Sequence, residues 1–303
     1  MPGRAIAVIG APSSAGAYAA GQEDAPRALR ELGLVERLGA AGCDVRDAGD
    51  IPGFRWRPDR DNRRAQNLAE VVASAAAVRG AAHAAIARGE RALVLGGDCT
   101  VGVGTVAGAV AAGIRPGLVY LDMHADLNTP ESVLDGALDW MGVAHMLAVD
   151  GCTPELRQLG PSAPLVDPSQ VVVLGHEESQ ATAWERDAIE RLGVATVPAA
   201  AVRDDAEQAA GTALAALSGC DRILLHFDID VVDFVDAPLS ENTGRNVGVP
   251  LAAALAAAAV VLADGRVSAV TLTELNPAHA ASDPGALERL VEGLVTALGG
   301  GAR

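Results

Sequence analysis

Short apolar runs separated by longer alanine-rich stretches set the rhythm of this chain. The runs AIAVIGAP (5–12), RALVLGGD (91–98), LVYLDMH (118–124), VVVLGH (171–176), RILLHFDID (222–230) and AVTLTEL (269–275) read as strands. Helices are predicted from near Ala25 and Pro26, near 101–112, near 183–192 and over LAAALAAAAVVLA (251–263). Runs such as VVVLG and ILLHFD are apolar at both parities, which is the mark of central parallel strands buried on both faces. Alternation of such strands with helices predicts an α/β fold, a three-layer α/β/α arrangement around a central, mostly parallel sheet. No glycine-serine linker, charge block or repeat divides the chain, and the proline-bearing stretch 151–170 reads as a connection, so one domain over 1–303 is expected.

The polar residues fall where such a fold binds ligands. Gly97-Asp98-Cys99, Asp122 to Asp126, Gly175-His176, Asp228 to Asp230 and Glu274 all follow the apolar part of a predicted strand, and open α/β sheets bind ligands outside the carboxyl ends of their strands. In VYLDMHADLNTP (119–130), Asp122, His124 and Asp126 stand at alternate positions. If the strand ran on through them, all three would point into one space. With Cys99, Asp228 and Asp230 they form a donor set dominated by carboxylates, better suited to two divalent ions than to one tetrahedral zinc. Read blandly, D-x-H-x-D is an acidic loop and D-x-D a helix-capping signal; the presence of both, each closing a strongly apolar strand, favours the metal reading.

Composition narrows the partners. Half the residues are hydrophobic, yet much of that is alanine and only 3% are aromatic. Acidic side chains outnumber basic ones 39 to 23, giving a formal net charge of −16, and no basic run follows a phosphate backbone, so nucleic acid is not an expected partner. The apolar stretch at 251–263 is too short to span a bilayer, and the N-terminal run reads as a first strand, not a secretion signal; a cytoplasmic protein with no membrane partner is expected. Cys43, Cys99, Cys152 and Cys220 are widely spaced with no C-x-x-C pair, which argues against a disulfide framework and a zinc knuckle.

The segments GQEDAPRALRELGL, LVLGGDCTVGVGTV, VYLDMHADLNTP, HFDIDVVD and TLTELNP resemble, in order and over nearly the whole chain, the signature segments of the ureohydrolases: arginases, agmatinases, guanidinobutyrases and formiminoglutamases. The resemblance implies a manganese pair bridged by a hydroxide that hydrolyses a C–N bond of a guanidino substrate. It implies Cys99, Asp122, Asp126 and Asp228 as ligands of one ion and His124, Asp230, Asp122 and Asp228 as ligands of the other, with Asp126 also catalytic. Glu274 matches the carboxylate that receives the guanidinium, and Asn128 matches an asparagine that contacts a substrate carboxylate, although an Asn in a turn after a strand reads equally as local structure. A trimer or hexamer is implied as well.

Two departures stand out. Cys99 occupies the position of a histidine ligand, a softer donor than manganese prefers, so weakened or altered metal binding at the first site is expected; a small buried hydrophobe is the plainer reading. Where family members carry a proton-shuttling histidine before a glycine, this chain has Met141 before Gly142, and His145 is the candidate substitute, provided the loop shifts; an ordinary partly buried histidine on the following helix is the plainer reading. Losing that acid removes help typically worth 10²–10⁴-fold, which directs attention to substrates needing less of it, such as an N-hydroxyarginine-like guanidine. His176, Glu177 and Glu178 face the same rim as candidate substrate contacts. The stretch 230–248 is a candidate lid with Asn242, Thr243 and Arg245, the last able to receive a carboxylate; His226 shares the face of Asp228, either near the metals or as a core histidine satisfied by backbone. The competing reading is a catalytically silent subunit with a structural or regulatory role; buried carboxylates repelling one another without metal argue against it.

Overall fold

The computed structural model describes residues 5–243 and 246–300. Eight strands form one sheet: β1 (Ile6–Gly10), β2 (Val45–Asp50), β3 (Arg91–Leu95), β4 (Pro116–Leu121), β5 (Val171–His176), β6 (Ala195–Pro198), β7 (Arg222–Asp228) and β8 (Val267–Thr273). Their order is β2-β1-β3-β8-β7-β4-β5-β6, with every pairing parallel. Successive strand residues enter different cores. Ile6, Val8, Val119 and Leu121 pack into one apolar cluster, and Ala7, Ile9, Leu118 and Tyr120 into another. The period of two thereby divides each central strand between two helical layers.

Helices Ala183–Leu192 and Leu251–Ala263 match the sequence expectation residue for residue. The first is bounded by a capping box between Thr182 and Glu185 and by left-handed Gly193, which are start and stop signals written in the chain. The apolar pattern gives no sign of the edge strands β2 and β6. VRDAGD and ATVP are largely exposed, so they lack the doubly apolar pattern of the interior strands.

The register sets the level of the site. Leu95 pairs with Leu272, Leu272 with Phe227, and Phe227 with Leu121. The adjacent strands β3, β8, β7 and β4 therefore end on one level, and the residues that follow them open onto a common space. Among the described residues no helix is long and apolar enough to cross a membrane.

Candidate metal centre

Two adjacent strand ends repeat one local structure. At the end of β4, Asp122 Oδ1 accepts the backbone N–H of His124 at 2.6 Å; at the end of β7, Asp228 Oδ1 accepts that of Asp230 at 2.6 Å. Each carboxylate thus closes a tight turn two residues long, the local bonding at which aspartate excels. This corrects the expectation of a strand running on through Asp122, His124 and Asp126. The sheet ends at Leu121, and Asp126 reaches the cluster from a left-handed backbone, φ 51°. Glu274, just past β8, is left-handed too, φ 60°. Such geometry costs a non-glycine residue of order 1–3 kcal/mol and tends to gather at functional sites.

The turns bring ligand-type atoms together. Cys99, Asp122 and Asp126 offer atoms within 4.8 Å of one another, as do Asp122, His124 and Asp230, and so do Cys99, His226 and Asp228. All are buried. Cys99 Sγ lies 2.8 Å from Asp228 Oδ2, and His124 Nδ1 lies 3.1 Å from Asp230 Oδ2 and 3.4 Å from Asp122 Oδ1. Asp122 Oδ2 and Asp230 Oδ1 are buried without any partner, the condition of a lone pair that a cation would satisfy. Tyr120 donates its hydroxyl to Asp126, and Asn242 Nδ2 donates to Asp230 at 2.7 Å.

The electrostatics are those of an anion-crowded cavity. Burial, then Asp230, pushes Asp122 up to about 7. Burial also raises Asp126 and Asp228 well above the carboxylate range, reinforced by Asp122 and Asp230 respectively, and raises the Cys99 thiol, reinforced by Asp228. Burial opposes charge on His124, yet Asp230 and Asp122 outweigh it and hold the ring well above its usual value; Asp230, despite its own burial, is held low by His124. A divalent cation relieves this mutual repulsion, and a mixture of hard oxygen donors, imidazole and one sulfur suits such an ion. The residues present fit a metal pair.

A cavity of about 290 Å³ opens at the cluster, lined by Cys99, His124, Asp126, Asp228, Asp230 and Glu274 together with Tyr18, Asp135, Ala137, Asp139, Trp140 and Asn242. Glu274 is fixed from both ends, Oε1 accepting the Cys99 backbone N–H at 2.8 Å and Oε2 accepting Gln22 Nε2 at 3.0 Å. Its carboxyl is raised by burial and then by Asp139.

Other expected residues stand elsewhere. His145 is buried on the short helix Gly142–Met146, with Nδ1 2.7 Å from Met141 O and Nε2 2.9 Å from Thr153 Oγ1. It does not line the cavity, so the expectation of a catalytic His145 is corrected: both nitrogens are committed to local partners, and burial lowers the ring to about 4. Asn128 is buried and does not line the cavity; its Oδ1 accepts from Ser132 and Thr182 hydroxyls at 3.1 and 2.9 Å, while its Nδ2 has no partner. His176 Nδ1 lies 3.3 Å from Met123 O and Glu178 is exposed; neither lines the cavity. Arg245 lies outside the described residues. His226 is not satisfied by backbone; its Nε2 lies against Cys99 Sγ and Thr273 Oγ1, and burial pushes the ring down to about 3.

Tyr18, Asp135, Asp139 and Gln22 were missed. Gln22 sits in a segment already singled out for its resemblance, but a glutamine before a helix gives no sign that it will meet a carboxylate 252 positions away. Asp139 carries a usable signal, since it is an acid two residues before Met141, in the stretch where the resemblance implies a proton carrier.

The Arginase family model matches residues 4–295. Arginase of Bacillus caldovelox is 34% identical over 172 residues, 56% of this chain and 57% of that protein. Arginase of Bacillus subtilis is 31% identical over 246 residues, 78% of each. A crystal structure of the latter superposes with a TM-score of 0.86, covering 98% of this chain and 99% of that one.

Proposed function

Because the chain belongs to the Arginase family, we propose that it is a metal-dependent hydrolase that cleaves a C–N bond of a guanidino compound and releases urea or a urea derivative. Family membership makes it a C–N hydrolase acting on linear amidines. The observation that carries the finer reading is the pair of buried ligand triplets sharing Asp122, with two carboxylate oxygens left unpartnered between them.

In this reading Cys99, Asp122, Asp126 and Asp228 hold one divalent ion, and Asp122, His124, Asp228 and Asp230 the other. The oxygen-rich second set suits Mn2+, whereas the sulfur of Cys99 weakens or alters metal preference at the first. When bound, such ions supply Lewis acidity, bringing the pKa of water at the site toward neutrality and stabilising negative charge that develops during attack.

The chain's own residues do the rest. Glu274 receives the guanidinium, because its carboxylate is held by the Cys99 N–H and Gln22 and faces the cavity. Trp140 and Tyr18 supply aromatic walls and Asp135 and Asp139 further carboxyl groups, surroundings favourable to a planar cation. Tyr120 and Asn242 hold Asp126 and Asp230 in aim. Arg245 remains the candidate for a substrate carboxylate. With His145 engaged elsewhere, the substrate in this reading is arginine-like or N-hydroxyarginine-like, the second needing less proton donation. The reading carries with it a homo-oligomer and a cytoplasmic setting.

The test is elemental analysis of the purified protein together with assay of urea or hydroxyurea released from a panel of guanidines. Bound metal and release from at least one guanidine are expected. Neither metal nor release would overturn the proposal and favour the silent subunit.

A further inference from the structure

Two rings border the cluster, one in contact with Asp126 and the other with Cys99. Tyr120 on β4 and His226 on β7 are register partners, and their rings stack with centroids 4.1 Å apart and planes 10° from parallel. The Tyr120 hydroxyl is bonded to Asp126. His226 Nε2 lies 3.2 Å from Cys99 Sγ and 3.0 Å from Thr273 Oγ1. The opposite nitrogen, Nδ1, is buried without a partner and rests against the helix Thr100–Ala111, where a Cβ on Gly102 would stand 2.5 Å from it. A glycine inside a helix costs about 1 kcal/mol relative to alanine. Here its missing side chain is the space the imidazole occupies.

A neutral imidazole has one N–H to place. On Nδ1 that hydrogen would be a buried donor with no acceptor; on Nε2 it meets a sulfur and a hydroxyl, so Nε2 carries it. The same fact separates His226 from the metal ligands. A ligating histidine nearly always donates its other N–H to a fixed partner, and Nδ1 has none, although the ring stands close to both Cys99 and Asp228.

We infer that His226 is a positioning residue that donates its Nε2–H to Cys99 Sγ and so aims the sulfur into the cluster, as its stacking partner Tyr120 aims Asp126. The inference rests on the reading of Cys99 as a metal ligand. A hydrogen bond to a ligating sulfur withdraws electron density from it, so the donor tunes the metal–sulfur bond as well as its direction.

The test uses the full-length protein loaded with cobalt(II), whose bond to a cysteine sulfur gives a charge-transfer absorption in the near ultraviolet. Wild type, His226→Phe and His226→Gln are compared by the position of that band and by cobalt affinity; Phe keeps a stacking ring without the donor, and Gln restores an N–H. The expected result is a band at longer wavelength and roughly 10–100-fold weaker affinity in His226→Phe, with substantial recovery in His226→Gln. Gly102→Ala, which displaces the ring without touching the cluster, is expected to move the band the same way, and it serves if His226→Phe fails to fold. A wild-type band and affinity in His226→Phe, or in Gly102→Ala if that is the variant that folds, overturns the inference alone. Cobalt bound by wild type with no sulfur band also overturns it while sparing the metal reading; no cobalt bound at all overturns both.

Discussion

Cys99 Sγ lies 2.8 Å from Asp228 Oδ2, joining the turn after β3 to the end of β7 across the intervening β8. Among the described residues His124 is the cationic group of the cluster, and while no cation is bound the surrounding buried carboxyls keep this contact protonated, a repulsion that a metal ion would relieve. A cation binding only the folded state stabilises it by about 2.7 kcal/mol per site at 100 times its Kd. Chelation is therefore expected to lower the melting temperature by several degrees, and added Mn2+ to restore it. A calorimetric scan indifferent to chelator and metal would count against the metal pair.

Replacing Glu274 by Gln keeps the oxygen that accepts the Cys99 N–H and removes the charge that faces the cavity. The expected outcome is a fall in kcat/KM of about 100-fold, the worth of a charge-assisted hydrogen bond of roughly 3 kcal/mol, with metal content unchanged. Kinetics and metal analysis on the same preparation check it; full activity would remove Glu274 from substrate binding.

Gly97 leaves no room for a side chain. A Cβ there would stand 1.7 Å from Ser13 O, and neighbouring atoms are committed, since Asp98 N donates to Ser13 O at 3.0 Å and Glu274 N to Gly97 O at 2.9 Å. Gly97→Ala is expected to cost at least about 1–3 kcal/mol in denaturant unfolding, as overpacking does, and to weaken metal binding by displacing Cys99 and Glu274 together. An unaltered unfolding midpoint would contradict it.

His145 gives a pH dependence. Its folded-state pKa is lowered to about 4 by burial, against an ordinary value of 6.5, so the folded protein binds fewer protons than the unfolded one between those values. Stability from this group is whole above about pH 6.5 and declines as pH falls, by roughly 3 kcal/mol near pH 4. His145→Gln is expected to be less stable at neutral pH, through the altered bonds to Met141 and Thr153, yet to lose less stability on acidification. Urea midpoints from pH 7 to 4 in both proteins measure the difference, and parallel curves would exclude it.

Legibility in the sequence varied with the range of the interaction responsible. Residues 183–192 could be bounded because Thr182, Glu185 and Gly193 act within one helix. The edge strand β2 could not, because VRDAGD is exposed and is strand only by pairing with β1. His145 illustrates the limit at the site: its position in the chain is compatible with a proton carrier and with an ordinary buried histidine, and the choice rests on Thr153 and Met141, which take up both nitrogens.

The chain by itself determined which strands are buried on both faces and which donor residues stand at their ends, since apolar runs and the aspartates that close them are local facts of spacing. The tertiary structure alone decided that β3, β8, β7 and β4 lie side by side, that Gln22 meets Glu274, that His226 meets Cys99, and that Asp139 rather than His145 faces the cavity. These contacts join residues far apart in the chain, and their partners are chosen by strand order and register, for which no short window of sequence carries a signal.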